Sequence, residues 1–304
     1  MMTRVETNSL RLPDFIGVGP PRTATTWLHE VLKSHVGLPD HVKETDFFLW
    51  KYEKGLEWYA AQFSQCPMDR PMGEFSPMYF LDPEPRERIA THIPHCKIIC
   101  TFRDPVERTY SHFRRMRQGG YYLGSFEECI EERKDILEWS RYATYLKAWH
   151  QVFRPENVLV LLQDDLKSDP QGFLDSVCDF IGIPRISLST SELRSKVVND
   201  ITIQPRNVRL ARTARLLKER LRDYGFYAPV DLLKKLGLRN LFFGGGAEFE
   251  PIRPETKVRL REFYRPEVET LETMLRRDLP AWKRSLGGAG KPAPEAVHLG
   301  TTSG

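Results

Sequence analysis

The chain has 304 residues, 40% of them hydrophobic and 28% charged, with a formal charge of +4. That length buries a full core in one large domain or two small ones, and so mild a basic excess suits an anionic small ligand better than a nucleic-acid groove, which carries a denser basic face. The five cysteines, Cys66, Cys96, Cys100, Cys129 and Cys178, contain no CxxC pair, which speaks against a disulfide framework or a zinc site.

The N-terminal residues before Phe15 carry no apolar signal core, and no run approaches the ~18 apolar residues that span a bilayer. The expectation is a cytoplasmic protein with reduced thiols, no metal, and neither nucleic acid nor membrane as partner. The oligomeric state is left open.

The first informative stretch is Asp14 to Leu28, DFIGVGPPRTATTWL. Apolar Phe15, Ile16 and Val18 read as a strand, Gly19 to Thr26 as a loop, and Trp27 onward as a helix. A loop entering a helix in this way aims backbone N–H groups and the positive end of the helix dipole at one point, which favours a phosphate or sulfate. The guanidinium of Arg22 and the hydroxyls of Thr23, Thr25 and Thr26 add to that anion site. Counted from Gly19, a P-loop needs Gly at 24 and Lys at 25, where this chain has Ala24 and Thr25. A nucleotide phosphate fits; ATP hydrolysis does not.

Further along, Lys43-Glu44-Thr45-Asp46-Phe47-Phe48 sets polar groups at the rim of an apolar wall. Gly55 to Phe63 reads as a helix, Gly73 to Pro77 as a strand closed by proline, and Pro83 to His92 as a helix. Cys96 to Phe102 reads as a buried parallel strand. Asp104 is a good N-cap, Pro105 suits the first helical position, and Glu107 completes a capping-box pattern. Helices follow over Ser125 to Arg133 and Ile136 to Phe153, then a buried strand over Asn157 to Leu162 and an amphipathic helix over Pro170 to Ile181. Strands alternating with helices predict an α/β domain with a parallel sheet.

Between Arg206 and Arg239 ten Lys or Arg residues face three acids. Arg206, Arg209, Arg212 and Arg215 drift about 60° per step, so they wind around a helix instead of forming one stripe. This stretch is either a solvated helix face or a lid over an anionic ligand. Glu255 to Trp282 reads as a closing helix, and the residues from Gly287 on as a disordered tail.

Taken together, PPRTATTWL, FRDPVERTYSHF, NVLVLLQDDLKSDPQGFLDSVCDFIGI and VETLETMLRRDLPAWK resemble, in order and spacing, the sulfotransferase family that uses 3′-phosphoadenosine 5′-phosphosulfate, PAPS. The family's usual Tyr-Glu-Asp is replaced here by Gln163-Asp164-Asp165. The resemblance spans Asp14 to Lys283. It implies an α/β fold of the P-loop-like type, a three-layer sandwich with a central parallel sheet flanked by helices. One sulfotransferase domain is expected over residues 1–285, with a basic lid-like insertion at 206–246 and a tail at 286–304.

By the same resemblance, Arg22 stands where the family usually has lysine. Thr23, Ala24, Thr25, Thr26 and Trp27 line the 5′-phosphosulfate loop, Arg103 and Ser111 bind the 3′-phosphate, and Arg206 is a further cofactor contact. KETDFF is similar to a segment of heparan-type members, which implies Glu44 as catalytic base and Lys43 and Arg22 as groups that neutralise developing charge. Asp46 stands where those members have histidine, and His35, His41 and Asp46 are the alternative bases. The plain alternative for Glu44 is a surface ion pair with Lys43. In GEFSPMYF, Phe75 replaces a common lysine, which argues against a polyanionic polysaccharide acceptor and favours a neutral or aromatic one.

The implied reaction moves the sulfuryl group from PAPS to a hydroxyl, or second to that an amine, of a small-molecule or carbohydrate acceptor, leaving PAP. A P-loop small-molecule kinase and a non-catalytic nucleotide-binding protein are the rival readings.

Overall fold

The computed structural model describes residues 10–187, 189, 202–223 and 245–284. Four strands, β1 (Phe15–Gly17), β2 (Gly73–Phe75), β3 (Lys97–Phe102) and β4 (Val158–Leu162), form a sheet in the order β2-β1-β3-β4. All three pairings are parallel, with Phe15 opposite both Gly73 and Lys97, and Ile98 opposite Val158. Apart from Glu74 and Thr101, the buried strand residues are apolar on both faces, as a sheet covered by helices on each side requires.

Alternation along β1 and β3 sorts side chains into the two helical layers. Ile16, Val18, Ile98, Cys100 and Phe102 join one core with Phe47, Tyr59, Tyr79, Trp149, Tyr264 and Trp282. Phe15, Ile99 and Phe75 join the other with Trp27, Leu28, Val31, Phe173 and Val177. The second layer is built by α1 (Thr25–Leu32) and Pro170–Ile181, and the first includes Pro105–Gln118 and Pro254–Leu275. This is the three-layer α/β sandwich expected.

Two predicted helices are each divided. Ile136 to Phe153 becomes Asp135–Glu138 and Tyr142–Val152, because the buried Arg108 donates to the Ile136 carbonyl and to Ser140 Oγ, drawing the intervening turn inward. The closing helix ends at Leu275 on the left-handed Arg276 and restarts over Pro280–Lys283. Arg277 binds Asp165 with two bonds of 2.6 Å, and the Trp282 indole donates to Asp164 at 2.7 Å. The Asp pair that departs from the family pattern thus tethers the C-terminal turn.

Ile203–Pro205, which precedes Arg206, pairs antiparallel with Gly245–Glu248, and Val208–Asp223 is a helix. The rest of the basic stretch, 224–244, and the tail 286–304 lie outside the described residues. Among the described residues, no helix is long and apolar enough to cross a membrane.

Candidate functional site

β1 and β3 are neighbours from which the chain departs in opposite directions, to β2 on one side and β4 on the other. Such a switch point opens a crevice at the carboxyl ends of the strands. The loops after both strands meet there. Gly19 passes so close to β3 that a Cβ on it would lie 2.4 Å from the Thr101 nitrogen, so no larger residue fits without moving the loop. Thr23 ties the loop down, its hydroxyl bonded to the Pro20 carbonyl at 2.6 Å and to Thr101 Oγ1 at 2.8 Å.

Beyond Thr23 the backbone turns sharply. Arg22 and Ala24 both have positive φ, 80° and 87°, and Ala24 leads directly into α1, whose first turn holds no acid. Alternation of right- and left-handed backbone curls successive N–H groups into an anion-holding concavity, and the dipole of α1 adds to it.

From β3 the chain continues through Arg103 and Asp104 into Pro105–Gln118. Asp104 accepts from the amides of Val106 and Glu107 at 3.0 and 3.2 Å and holds Arg261 through bonds of 2.8 and 2.5 Å. The capping-box half expected of Glu107 is not made, because its carboxylate turns to Lys257 at 3.6 Å. Burial pushes the Asp104 carboxyl above its ordinary range against the pull of Arg261. Arg103, next to this clamp, has a buried Nε without a hydrogen-bond partner and lies 4.0 Å from Glu107. An orphaned guanidinium N–H beside a crevice fits an anion. Two turns into the helix, Ser111 Oγ accepts from Arg22 Nε at 3.1 Å, so the first loop and the Pro105–Gln118 helix touch.

The third contributor leads into Phe47, which shares a core with the Pro105–Gln118 helix. Lys43 Nζ donates to Thr26 Oγ1 at 2.8 Å and to Glu44 Oε1 at 3.1 Å. The pair is therefore a partly exposed ion pair, and it is also docked on the first turn of α1. Asp46 lies next to it in a left-handed conformation, its carboxyl raised by burial and then by the Glu44 charge. His35 and His41 are exposed.

A family model described as a sulfotransferase domain matches residues 12–222. The chain belongs to the sulfotransferase family. The chain is 26% identical over 303 residues to the bifunctional heparan sulfate N-deacetylase/N-sulfotransferase 4 of Mus musculus, the match covering 90% of the chain and 31% of that protein. It is 30% identical over 187 residues to the heparan sulfate glucosamine 3-O-sulfotransferase 3B1 of Mus musculus, covering 59% of the chain and 48% of that protein. The chain thus spans between about a quarter and a half of the curated relatives it matches. A sulfotransferase structure from Alicyclobacillus acidocaldarius superposes with a TM-score of 0.65 at 20% identity, covering 90% of this chain and all of that one, which supports the fold.

At the crevice, Arg22 is joined to Ser111, and Thr26 to Lys43 and Glu44, by the bonds above, with Arg103 at the same strand ends. Two residues of the first loop differ from expectation in what they offer. Thr23 is fully buried and its hydroxyl is used inside the fold, while the Trp27 ring sits in the core, 5.7 Å from Phe173. Both shape the loop from behind. Arg206 binds the Gly245 carbonyl at 2.9 Å across the small hairpin.

Phe75 also lies elsewhere. It is fully buried, 6.1 Å from Phe15 and 6.2 Å from His29, and fills the space left by Gly17. A ring enclosed in the core presents no face to an acceptor, so Phe75 carries no argument for an aromatic one. Glu74, its neighbour on the opposite face of β2, was not anticipated as part of the site. The signal for it was a lone charge in an otherwise apolar strand.

Proposed function

We propose that the chain transfers the sulfuryl group of PAPS to a hydroxyl or amine of a glycan or small-molecule acceptor. The observation that carries the reading is the junction of three segments at the strand ends, Arg22 on Ser111 and Lys43 bridging Thr26 to Glu44. PAPS supplies an activated sulfuryl group, whose sulfur gains a bond to the acceptor and loses the one to the 5′-phosphate of PAP. Glu44 takes the acceptor proton. Lys43 neutralises charge beside it, and Arg22 with the α1 N-terminus stabilises charge developing on the leaving side. Arg103 and Ser111 hold the 3′-phosphate, the amides and hydroxyls of Ala24, Thr25 and Thr26 hold the 5′ side, and Thr23 and Trp27 keep that loop in shape. Arg206 remains a further contact in this reading.

Catalysis of this kind rests on positioning and electrostatics, as in phosphoryl transfer. The same proposal takes residues 1–285 as one catalytic domain and its location as cytoplasmic, to be checked by fractionation. The names of the relatives, which act on heparan sulfate, support glycan amines and hydroxyls as the first acceptors to try.

Calorimetric titration with PAP beside ATP tests the reading. PAP is expected to bind more tightly than ATP, and Arg22→Ala and Arg103→Ala should each weaken it by roughly 1.5–3 kcal/mol for a lost charge-assisted bond. Magnesium-dependent ATP binding without PAP binding would promote the kinase reading. PAP binding with no sulfated product from any acceptor would promote the non-catalytic one.

A further inference from the structure

We infer that Glu74 is a positioning residue for the transfer, holding Thr45 against the central sheet and, through Thr45, the Lys43–Glu44 pair at the mouth of the first loop. The inference rests on the reading of Glu44 as the base.

Glu74 is the middle residue of β2 and is fully buried. Among the described residues it forms no ion pair with a lysine or arginine. A buried carboxylate without a cation is costly unless hydroxyls or amides surround it. Here three hydroxyls converge on it, those of Thr45, Tyr59 at 2.9 Å and Ser76 at 3.2 Å. A carboxylate has lone pairs enough for all three.

Each of these donors leads back to the segment that follows Glu44. The Thr45 hydroxyl donates a hydrogen bond to Glu74 and accepts one from the Phe47 amide at 3.2 Å. Ser76 Oγ accepts the Asp46 amide at 3.4 Å, and the Tyr79 hydroxyl accepts the Phe48 amide at 3.1 Å. The Tyr59 ring stacks on Phe47 with centroids 4.5 Å apart. Residues 45–48 are therefore pinned to β2 and the turn after it by a network centred on one carboxylate, which the Tyr79 hydroxyl joins through Thr45 Oγ1 at 3.4 Å. Within this network Asp46 takes a left-handed conformation, φ 53°, which aspartate tolerates better than most non-glycine residues.

Glu44 stands one peptide link before this anchor, and its own side chain bonds Lys43. A displacement of Thr45 is passed directly to Glu44, and a misplacement of about 1 Å costs up to roughly a hundredfold in rate.

The test uses the full chain with PAPS and, as probe acceptor, a desulfated, partly N-deacetylated heparan oligosaccharide that offers both hydroxyls and amines. Turnover, PAP affinity by calorimetry and hydrogen exchange of residues 42–50 are compared for Glu74→Gln, Thr45→Val, Thr45→Ser, Glu44→Gln and the Glu44→Gln/Glu74→Gln double variant. Glu74→Gln and Thr45→Val are expected to lose roughly tenfold to a hundredfold in kcat, with PAP affinity and the KM for PAPS unchanged and faster exchange over 42–50. Thr45→Ser, which keeps the hydroxyl, should retain most of the activity. In the Glu44→Gln background, Glu74→Gln should add no further loss, because it acts through Glu44.

Multiplied losses in the double variant, an equal fall in PAP affinity, or Thr45→Ser as impaired as Thr45→Val would overturn the inference alone. Full turnover by Glu44→Gln would overturn the base assignment and this inference with it. Should Glu74→Gln not fold, the Thr45 pair carries the same comparison.

Discussion

The two halves of the site are built on different principles. The side proposed to face the nucleotide is built mainly from backbone at the ends of β1 and β3, a turn, a helix N-terminus and a capped helix, with Arg22 on Ser111 and Arg261 on Asp104 joining the pieces. The side that carries Glu44 is held instead by side-chain hydroxyls and a buried carboxylate that reach across from β2 and the turn after it. Thr45 is 29 residues from Glu74, and Phe48 is 31 from Tyr79. Backbone-built anion sites lose affinity in graded steps as single side chains are removed. A base held by a hydrogen-bond network loses rate through geometry while binding is preserved.

The largest effect separating the halves is expected from Glu44→Gln. Steady-state kinetics should register a fall of ~10²–10⁴ in kcat, while calorimetry finds PAP affinity unchanged. Near-normal turnover would leave the exposed ion pair with Lys43 as the whole role of Glu44.

Next in size is Arg261→Met, which strands Asp104 at the end of β3. Losing one partner of this buried pair should cost about 3–5 kcal/mol in urea denaturation, with PAP binding impaired through Arg103. A stable variant with intact PAP binding would mean that the nucleotide side does not depend on the C-terminal helix.

A smaller effect tests the charge of Glu74. Burial, outweighing the hydroxyls of Thr45, Tyr59 and Ser76, raises its pKa, so the folded state holds the proton more tightly than the unfolded chain. The stability gained from that proton is full below the ordinary glutamate value and is lost as pH rises through the raised one. Tyr59, Tyr79 and Cys96 face the same carboxylate and are all pushed to higher pKa, so none of them titrates in that window. Wild-type stability relative to Glu74→Gln should therefore decline across it. An opposite slope in denaturation series at several pH values would show that the hydroxyls win.

The smallest is Ala24→Gly. At φ 87° alanine is strained by about 1–2 kcal/mol relative to glycine, so the variant should melt no lower than the wild type. A clear loss of PAP affinity in Ala24→Gly would mean that the strain itself preorganises the loop.

Much of the architecture was legible before any fold was known. The strand-loop-helix at Asp14–Leu28, the Asp104 cap and the strands at 97–102 and 158–162 declare themselves through apolar runs and capping residues a few positions apart. Helix interruptions were not legible, because Ser140 and Arg276 mark breaks whose causes, the buried Arg108 and the Asp165 tether, lie elsewhere in the chain. Thr23 and Phe75 misled for the same reason. A hydroxyl and an aromatic ring each have an outward and an inward use, and only packing selects between them.

By itself, then, the sequence determined the alternating α/β order and the anion-favouring turn, since these follow from short-range periodicity, backbone preference and local hydrogen bonding, while the segment bearing Glu44 was marked only by its resemblance to heparan-type members. Tertiary structure alone decided that Arg22 would meet Ser111 across 89 residues, that Arg261 would clamp Asp104 across 157, and that Glu74 would anchor Thr45. Those contacts depend on the parallel order β2-β1-β3-β4, which brings distant strand ends together and which no local pattern encodes.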